Sequence, residues 1–341
     1  MLGRSLLRTV AAVMLASVGV GAASAQEVNL YTTREPGLIR PLLDAFTKST
    51  GIKVNTVLVA KGLAERVEAE GERSPADMLM TVDLGNLIEL VDKGLAQPVQ
   101  SKAAEAAIPA ALRDPDGRWF ALSMRARLVY ADADLKDLTA ITYDELADPK
   151  WKGKICIRSG QHPYNTALVA AYLARNGEAK TEEWLKGVKA NLARKPGGGD
   201  REVARDIKAK LCELGIGNSY YIGLMRSGRG GPDQQSWGEA IKTPVPTFKG
   251  GGTHVNVSGA VIAKHAKNKD GAVKLLEYLV SDEAQGIYAR GNFEYPVKPG
   301  APLDPIIEKV GKVTPDATPL AEIAKNRKAA SALIDKVGFD N

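Results

Sequence analysis

Two hydrophobic periods alternate along most of this chain. Residues 28–31 form a short apolar run that predicts a strand. Leu38, Ile39, Leu42, Leu43 and Phe46 then recur at helical spacing as far as Thr50, and Gly51 supplies the stop. The same signals return as a strand over 52–59, a helix over 62–71, a strand through 75–81 and a helix over 84–93 ended by Gly94. This order predicts an α/β fold with a largely parallel sheet.

Residues 119–130 break the rhythm with one long extended run, which reads as a strand leaving a first lobe and entering a second. The alternation then resumes. A short helix is expected over 143–147, a strand over 154–158 and helices over 163–175, 182–192 and 202–211. Residues 253–262 are a second long extended run, expected to cross back, and helices over 270–280 and 282–289 precede a polar helical tail. Glycine loops at 195–199, 228–232 and 250–252 lack the spacing of a P-loop or a dinucleotide fingerprint and read as turns. Two α/β lobes joined by two crossings predict a hinged protein that binds its ligand in the interlobe cleft, at strand C-ends and helix N-termini.

The N-terminus follows different rules. Arg4 and Arg8, an apolar stretch over 10–20 and the small-x-small triplet Ala23-Ser24-Ala25 read as a bacterial export signal spanning residues 1–25, with the mature chain starting at Gln26 and residing in the periplasm. No cysteine follows the cut, and no later stretch is apolar and long enough to span a bilayer. Removing 25 residues from 341 leaves 316, enough for two lobes with cores of their own, and the formal charge falls from +6 to +4. The charges are scattered, with no basic stripe or aromatic ladder, so a nucleic-acid partner is not expected; separately, the chain is expected to be a monomer. Cys156 and Cys212 are the two cysteines, without CxxC spacing. In an exported chain they read as one disulfide, worth roughly 4 kcal/mol on the chain-entropy argument. That bridge would draw the 162–164 segment toward 219–221.

The predicted cleft segments carry unusual chemistry. They are the loop 31–35, the loop 81–83, Arg125 and Arg127 on the first crossing, the loop 159–165 and the joint at 219–221. Tyr220 and Tyr221 are adjacent where a strand end (215–219) meets a helix start (222–225). Neighbours diverge in a helix and oppose in a strand, so convergence of both phenols requires a backbone that is neither. A bare Tyr-Tyr pair is more often two half-buried aromatics. Tyr164 adds a third phenol. Three phenols among arginines suit a hard, highly charged cation such as Fe³⁺, which prefers anionic oxygen and can deprotonate a phenol of pKa about 10. Three phenolates would neutralise it, and arginines would hold a small anion in the remaining coordination positions.

Catalytic patterns are weak: G-x-S-x-G and H-E-x-x-H are both missing. His254 starts the return crossing, His265 reads as surface, and His162 beside Tyr164 is either a ligand or a neighbouring group. Asp77 and Asp83 read as loop or helix-cap acids. An anion-binding solute receptor, a secreted hydrolase and a structural envelope protein remain alternatives to a metal carrier.

In order along the chain, Leu30-Tyr31-Thr32-Thr33-Arg34, Ser74 through Asp83, Arg125-Ala126-Arg127, Pro149 through Lys154 and Tyr164-Asn165 form a distinctive series. It continues with Asn218-Ser219-Tyr220-Tyr221, Gly252 through Gly259 and Glu294-Tyr295-Pro296-Val297. With these markers the chain resembles the periplasmic ferric-iron-binding proteins of ABC transporters over nearly its whole mature length. The resemblance implies the type II periplasmic-binding-protein fold and iron binding by Tyr164, Tyr220 and Tyr221. It places Arg34, Arg125 and, less directly, Arg127 near a synergistic anion such as carbonate. An inner-membrane permease with a cytoplasmic ATPase is the implied partner. The implied lobes are 26–124 with 247–298, and 125–246 with 299–341. Many members carry a His-Tyr pair after the first-loop arginine, where this chain has Glu35-Pro36. The resemblance therefore points to the branch with three tyrosines and an anion. Tyr31, Glu35, His162 and Asn165 stay as possible additional ligands, Tyr31 reading first as an aromatic near the cleft and Glu35 as a helix-start charge.

Overall fold

A computed structural model describes residues 27–136 and 138–341; the expected leader lies outside the described residues. The chain begins with β1 (Glu27–Thr32), α1 (Pro36–Thr50), β2 (Lys53–Leu58), α2 (Leu63–Glu70), β3 (Met78–Thr81), α3 (Leu84–Asp92), β4 (Ala96–Gln97) and α4 (Lys102–Ala107). α1 buries Ile39, Leu42, Leu43 and Phe46, the stripe its spacing predicts, and stops at Gly51, whose φ of 74° is left-handed. β5 (Phe120–Asp132) follows as one uninterrupted strand, buried at every position.

Beyond it come β6 (Ile155–Cys156), α5 (Pro163–Asn176), α6 (Glu178–Ala190), α7 (Asp200–Lys208), β7 (Leu214–Asn218), α8 (Ser219–Arg226), α9 (Pro232–Glu239) and β8 (Ile241–Lys242). The chain returns through β9 (Val255–Ala263) to α10 (Lys269–Leu279), α11 (Asp282–Asn292) and β10 (Tyr295–Pro296). α12 (Pro305–Glu308), α13 (Leu320–Lys325) and α14 (Arg327–Lys336) then pack back, α12 on α8 and the other two on α5.

The strands run in the order β2-β1-β3-β9-β5-β7-β6, with β4 on β9 and both β8 and β10 on β5. β5 belongs to two sheets. Through Ala126 it pairs with β9, and from Arg127 onward it pairs with β7. This change of partner within one strand makes the molecule two-lobed. The expected largely parallel sheet is corrected to a mixed one. β1 pairs in parallel with β2 and β3, and β6 with β7. β9, however, lies antiparallel between β3 and β5, because a strand that returns must run against the one that left.

Three local differences have physical reasons. The strand expected over 154–158 pairs only at Ile155 and Cys156, since the chain must turn at once toward α5. The short α4 and α9 are too small to announce themselves by periodicity. α8 begins at Ser219, so Tyr220 and Tyr221 are helical rather than in an irregular joint. The cysteines do pair: Cys156 and Cys212 are disulfide-bonded, with Cα atoms 5.8 Å apart, and the bridge fastens β6 beside the start of β7. Among the described residues no helix is long and apolar enough to cross a membrane.

Candidate functional site

α8 grows directly out of β7, and Ser219 fixes its start by accepting the Ala126 N–H of β5 at 3.1 Å. Helical side chains tilt toward the N-terminus. Tyr220 and Tyr221, in the first turn, therefore both lean over the strand end, with ring centroids 4.2 Å apart. The first turn does what an irregular joint was expected to do. Tyr164 opens α5 behind Pro163, and its hydroxyl oxygen lies 3.3 Å from that of Tyr220. Sequence reasoning chose these three phenols, and the fold brings them together at one end of the second lobe.

The surroundings of Tyr220 and Tyr221 favour the protonated phenol. Burial, followed by the neighbouring Tyr164 and Tyr221, pushes the Tyr220 phenol well above its ordinary range, and burial raises Tyr221 as well. Cations stand over the rings: Arg201 is 5.6 Å from the Tyr221 centroid and Arg158 is 5.3 Å from that of Tyr164.

Facing the phenols across the cavity, two buried arginines meet at a serine. Arg34 and Arg125 donate to the Ser258 hydroxyl at 2.6 and 2.9 Å. Glu294 sits between them, accepting from Arg34 at 3.0 and 3.1 Å, with Arg125 at 3.9 Å. Ser123 also bonds the Glu294 carboxylate. Glu294 is held there because the next residue, Tyr295, pairs with Met124 of β5, which sets the glutamate beside Arg125. Burial works against the Arg34 charge, and the neighbouring Glu294 holds the guanidinium above its ordinary value. The cavity between phenols and arginines is about 520 Å³, and Arg201 and Arg229 also line it.

Several expected participants lie elsewhere. Arg127 is corrected from an anion ligand to a structural hub: it pairs with Asp200 at 2.5 Å and donates to Asn218 and Asn165, 2% exposed and away from the cavity wall. Asn165 is spent in that network, its oxygen on Arg127 and its nitrogen on the carbonyls of Arg158 and Ser159. His162 caps α5, its Nδ1 accepting the Tyr164 N–H at 3.2 Å, and burial followed by Arg158 pushes its imidazole down to about 4. Tyr31 is not near the cleft. Its hydroxyl donates to Glu70 at 3.2 Å, and Arg66 covers its ring. Glu35 does face the cavity, exposed at the head of α1 with no capping bond. Asp83 is a helix cap, accepting from Gly85 and Asn86, and Asp77 a loop anchor, accepting from Asn29, Lys267 and Asn268.

Sequence reasoning missed Arg201, Arg229 and Glu294 as cavity residues. Glu294 stood inside a noted Glu-Tyr-Pro-Val run, but its partner Arg34 is 260 positions away. Arg229 spans the lobes: it donates to the carbonyls of Gly291 and Arg290 at 2.9 and 3.3 Å and stacks 4.5 Å over Phe293. A second cross-lobe pair joins Arg327 to Asp83 at 2.8 Å. Among the described residues no group of three or more His, Cys, Asp or Glu side chains could hold a metal ion.

A two-lobed α/β protein with a polar cleft between its sheets, crossed by one shared strand, is a solute-binding receptor of the type II periplasmic-binding-protein class. The family model for bacterial extracellular solute-binding proteins matches residues 31–286, and the chain belongs to that family. Relatives within it include Iron uptake protein A1 of Synechocystis sp., 40% identical over 92% of this chain and 88% of its own length. Among solved structures, a Bordetella ferric binding protein is 61% identical, covering 93% of this chain and 100% of its own, with a TM-score of 0.90. Trichodesmium FutA, solved in complex with iron and citrate, is 40% identical over 92% of this chain and 99% of its own, with a TM-score of 0.87.

Proposed function

We propose that this chain is a non-enzymatic periplasmic carrier that captures ferric iron with Tyr164, Tyr220 and Tyr221 and hands it to an ABC permease driven by a cytoplasmic ATPase. The observation that carries the reading is the approach of the Tyr164 and Tyr220 hydroxyl oxygens to 3.3 Å at the cleft wall. Two oxygens bound at right angles to one ion, with bonds of about 2 Å, lie about 2.9 Å apart, so a small inward movement lets both serve one metal. Three phenolates balance Fe³⁺. Arg34 and Arg125 face them and supply the counter-charge for carbonate or another small anion in the remaining positions. The ferric-binding and iron-uptake relatives support the cargo, and the family supports the transporter partner. The lobes are 26–124 with 247–298 and 125–246 with 299–341; the change of β5 partner between Ala126 and Arg127, two residues further on, supports a boundary within β5.

Because phenols must lose protons to bind, acidification favours release. Ferric citrate and bicarbonate added to the purified mature protein should produce a visible phenolate-to-iron band. Tyr220→Phe should abolish most of it and let iron pass off a desalting column. The buried arginines alone would also suit a carrier of small organic or phosphorylated anions. A colourless wild-type protein that still bound such anions would establish that second reading.

A further inference from the structure

Arg34 and Arg125 are both almost wholly buried, at 2% and 3% exposure, and two unneutralised guanidinium groups would not be stable so close together. Glu294 resolves the conflict. It takes both of its Arg34 contacts through Nη2, stands 3.9 Å from Arg125, and is itself fixed by Ser123. The pair plus the glutamate carries a single net positive charge. Arg34 Nε is buried without a hydrogen-bond partner in the described structure, although Arg34 lines the cavity. A buried donor in that condition calls for an acceptor. Arg201 and Arg229 belong to the opposite lobe and are partly or fully exposed, so water screens their contribution.

We infer that Glu294 is the specificity-determining residue that sets the charge of the anion held by Arg34 and Arg125, limiting the preferred ligand to a small planar monoanion of the carboxylate or bicarbonate class. The inference rests on the anion half of the proposed function, replacing carbonate there by its singly protonated form or another small monoanion, and on none of the iron half. Desolvation of an anion rises steeply with its charge, while attraction to the arginine cluster rises only in proportion to it. A cluster with one net positive charge therefore matches a monoanion. A dianion would bring a second charge into the cavity without a buried partner.

The test uses the metal-free mature protein, so a failure of iron binding does not enter it. Formate and oxalate are titrated separately by calorimetry at neutral pH. Wild type should prefer formate. Glu294→Gln keeps the side-chain shape, removes the negative charge, and should shift the preference toward oxalate by about tenfold, the scale of one added unit charge a few ångströms away. A merely structural role for Glu294 would weaken both anions by the same factor in Glu294→Gln, and that result would overturn the inference. So would a wild-type preference for oxalate, which decides the matter even if the variant does not fold, or a lack of binding by either anion. A visible iron band that fails while the charge preference shifts would remove the iron reading alone.

Discussion

At the scale of single residues, the site is a contrast between two buried groups of opposite character. Tyr220 and Tyr221 hold their protons more firmly than free phenols, because burial raises both and the neighbouring Tyr164 and Tyr221 raise Tyr220 further. Iron binding near neutral pH should therefore expel about three protons, one from each phenol. Calorimetry in buffers of different ionisation heat counts them; a release near zero would mean that the phenols do not ligate. The arginines are charged throughout and need partners throughout. Arg125 and Arg127 show how little separates function from scaffolding. They lie two positions apart on β5, yet Arg125 meets Ser258 across the first sheet while Arg127 is taken by Asp200. Asp200 also accepts from Arg158 and from the Asn218 N–H, so one carboxylate anchors the floor beneath Tyr164.

At the scale of elements, the hydrophobic pattern made α1 legible by its helical stripe and β5 by the length of its extended run. The phenols were legible as chemistry, since three tyrosines beside strand ends have few other uses. Their helical setting was not, because β7 passes into α8 without an irregular residue. Glu294 and Arg229 were illegible because their roles depend on which strand β10 pairs with and on where α11 stops, and local sequence specifies neither. α11 stops with Phe293 in a left-handed conformation at φ 58°, uncommon for an aromatic residue, which turns its ring against Gly223 of α8. A β-carbon at Gly223 would lie 2.1 Å from that ring. Gly223→Val should therefore destabilise the protein by about 2 kcal/mol through overpacking. Urea unfolding measures this, and adding Phe293→Ala should return part of the loss. An additive double variant would show that the two residues do not press on one another.

At the scale of the whole molecule, Arg229 on the Gly291 and Arg290 carbonyls and Arg327 on Asp83 bridge the lobes, and such bridges should set how long cargo stays. Arg229→Ala removes the guanidinium from the Gly291 and Arg290 carbonyls and should speed iron loss to a chelator roughly fivefold, the scale of one exposed hydrogen bond of about 1 kcal/mol, without moving the visible band. An unchanged release rate would place control elsewhere. The return crossing brings a pH dependence of its own. Burial, then the Arg127 charge, push the His254 imidazole down to about 3, below the roughly 6.5 of an unfolded chain. The resulting stability is complete above about pH 6.5 and drains away as acid protonates the unfolded state, reaching a loss of about 2 kcal/mol at pH 5. Urea midpoints at pH 7.5 and 5 should show this slope, and His254→Asn should flatten it; equal slopes would assign the effect to other groups. Finally, β5 carries both sheets on one unbroken ribbon whose pairing changes at a single peptide. Opening can proceed as a gradual twist of that ribbon, with every rung of both ladders left intact. Such a joint bends without breaking a pair, and the balance between open and closed is then left to the contacts that bridge the lobes and to whatever is seated between them.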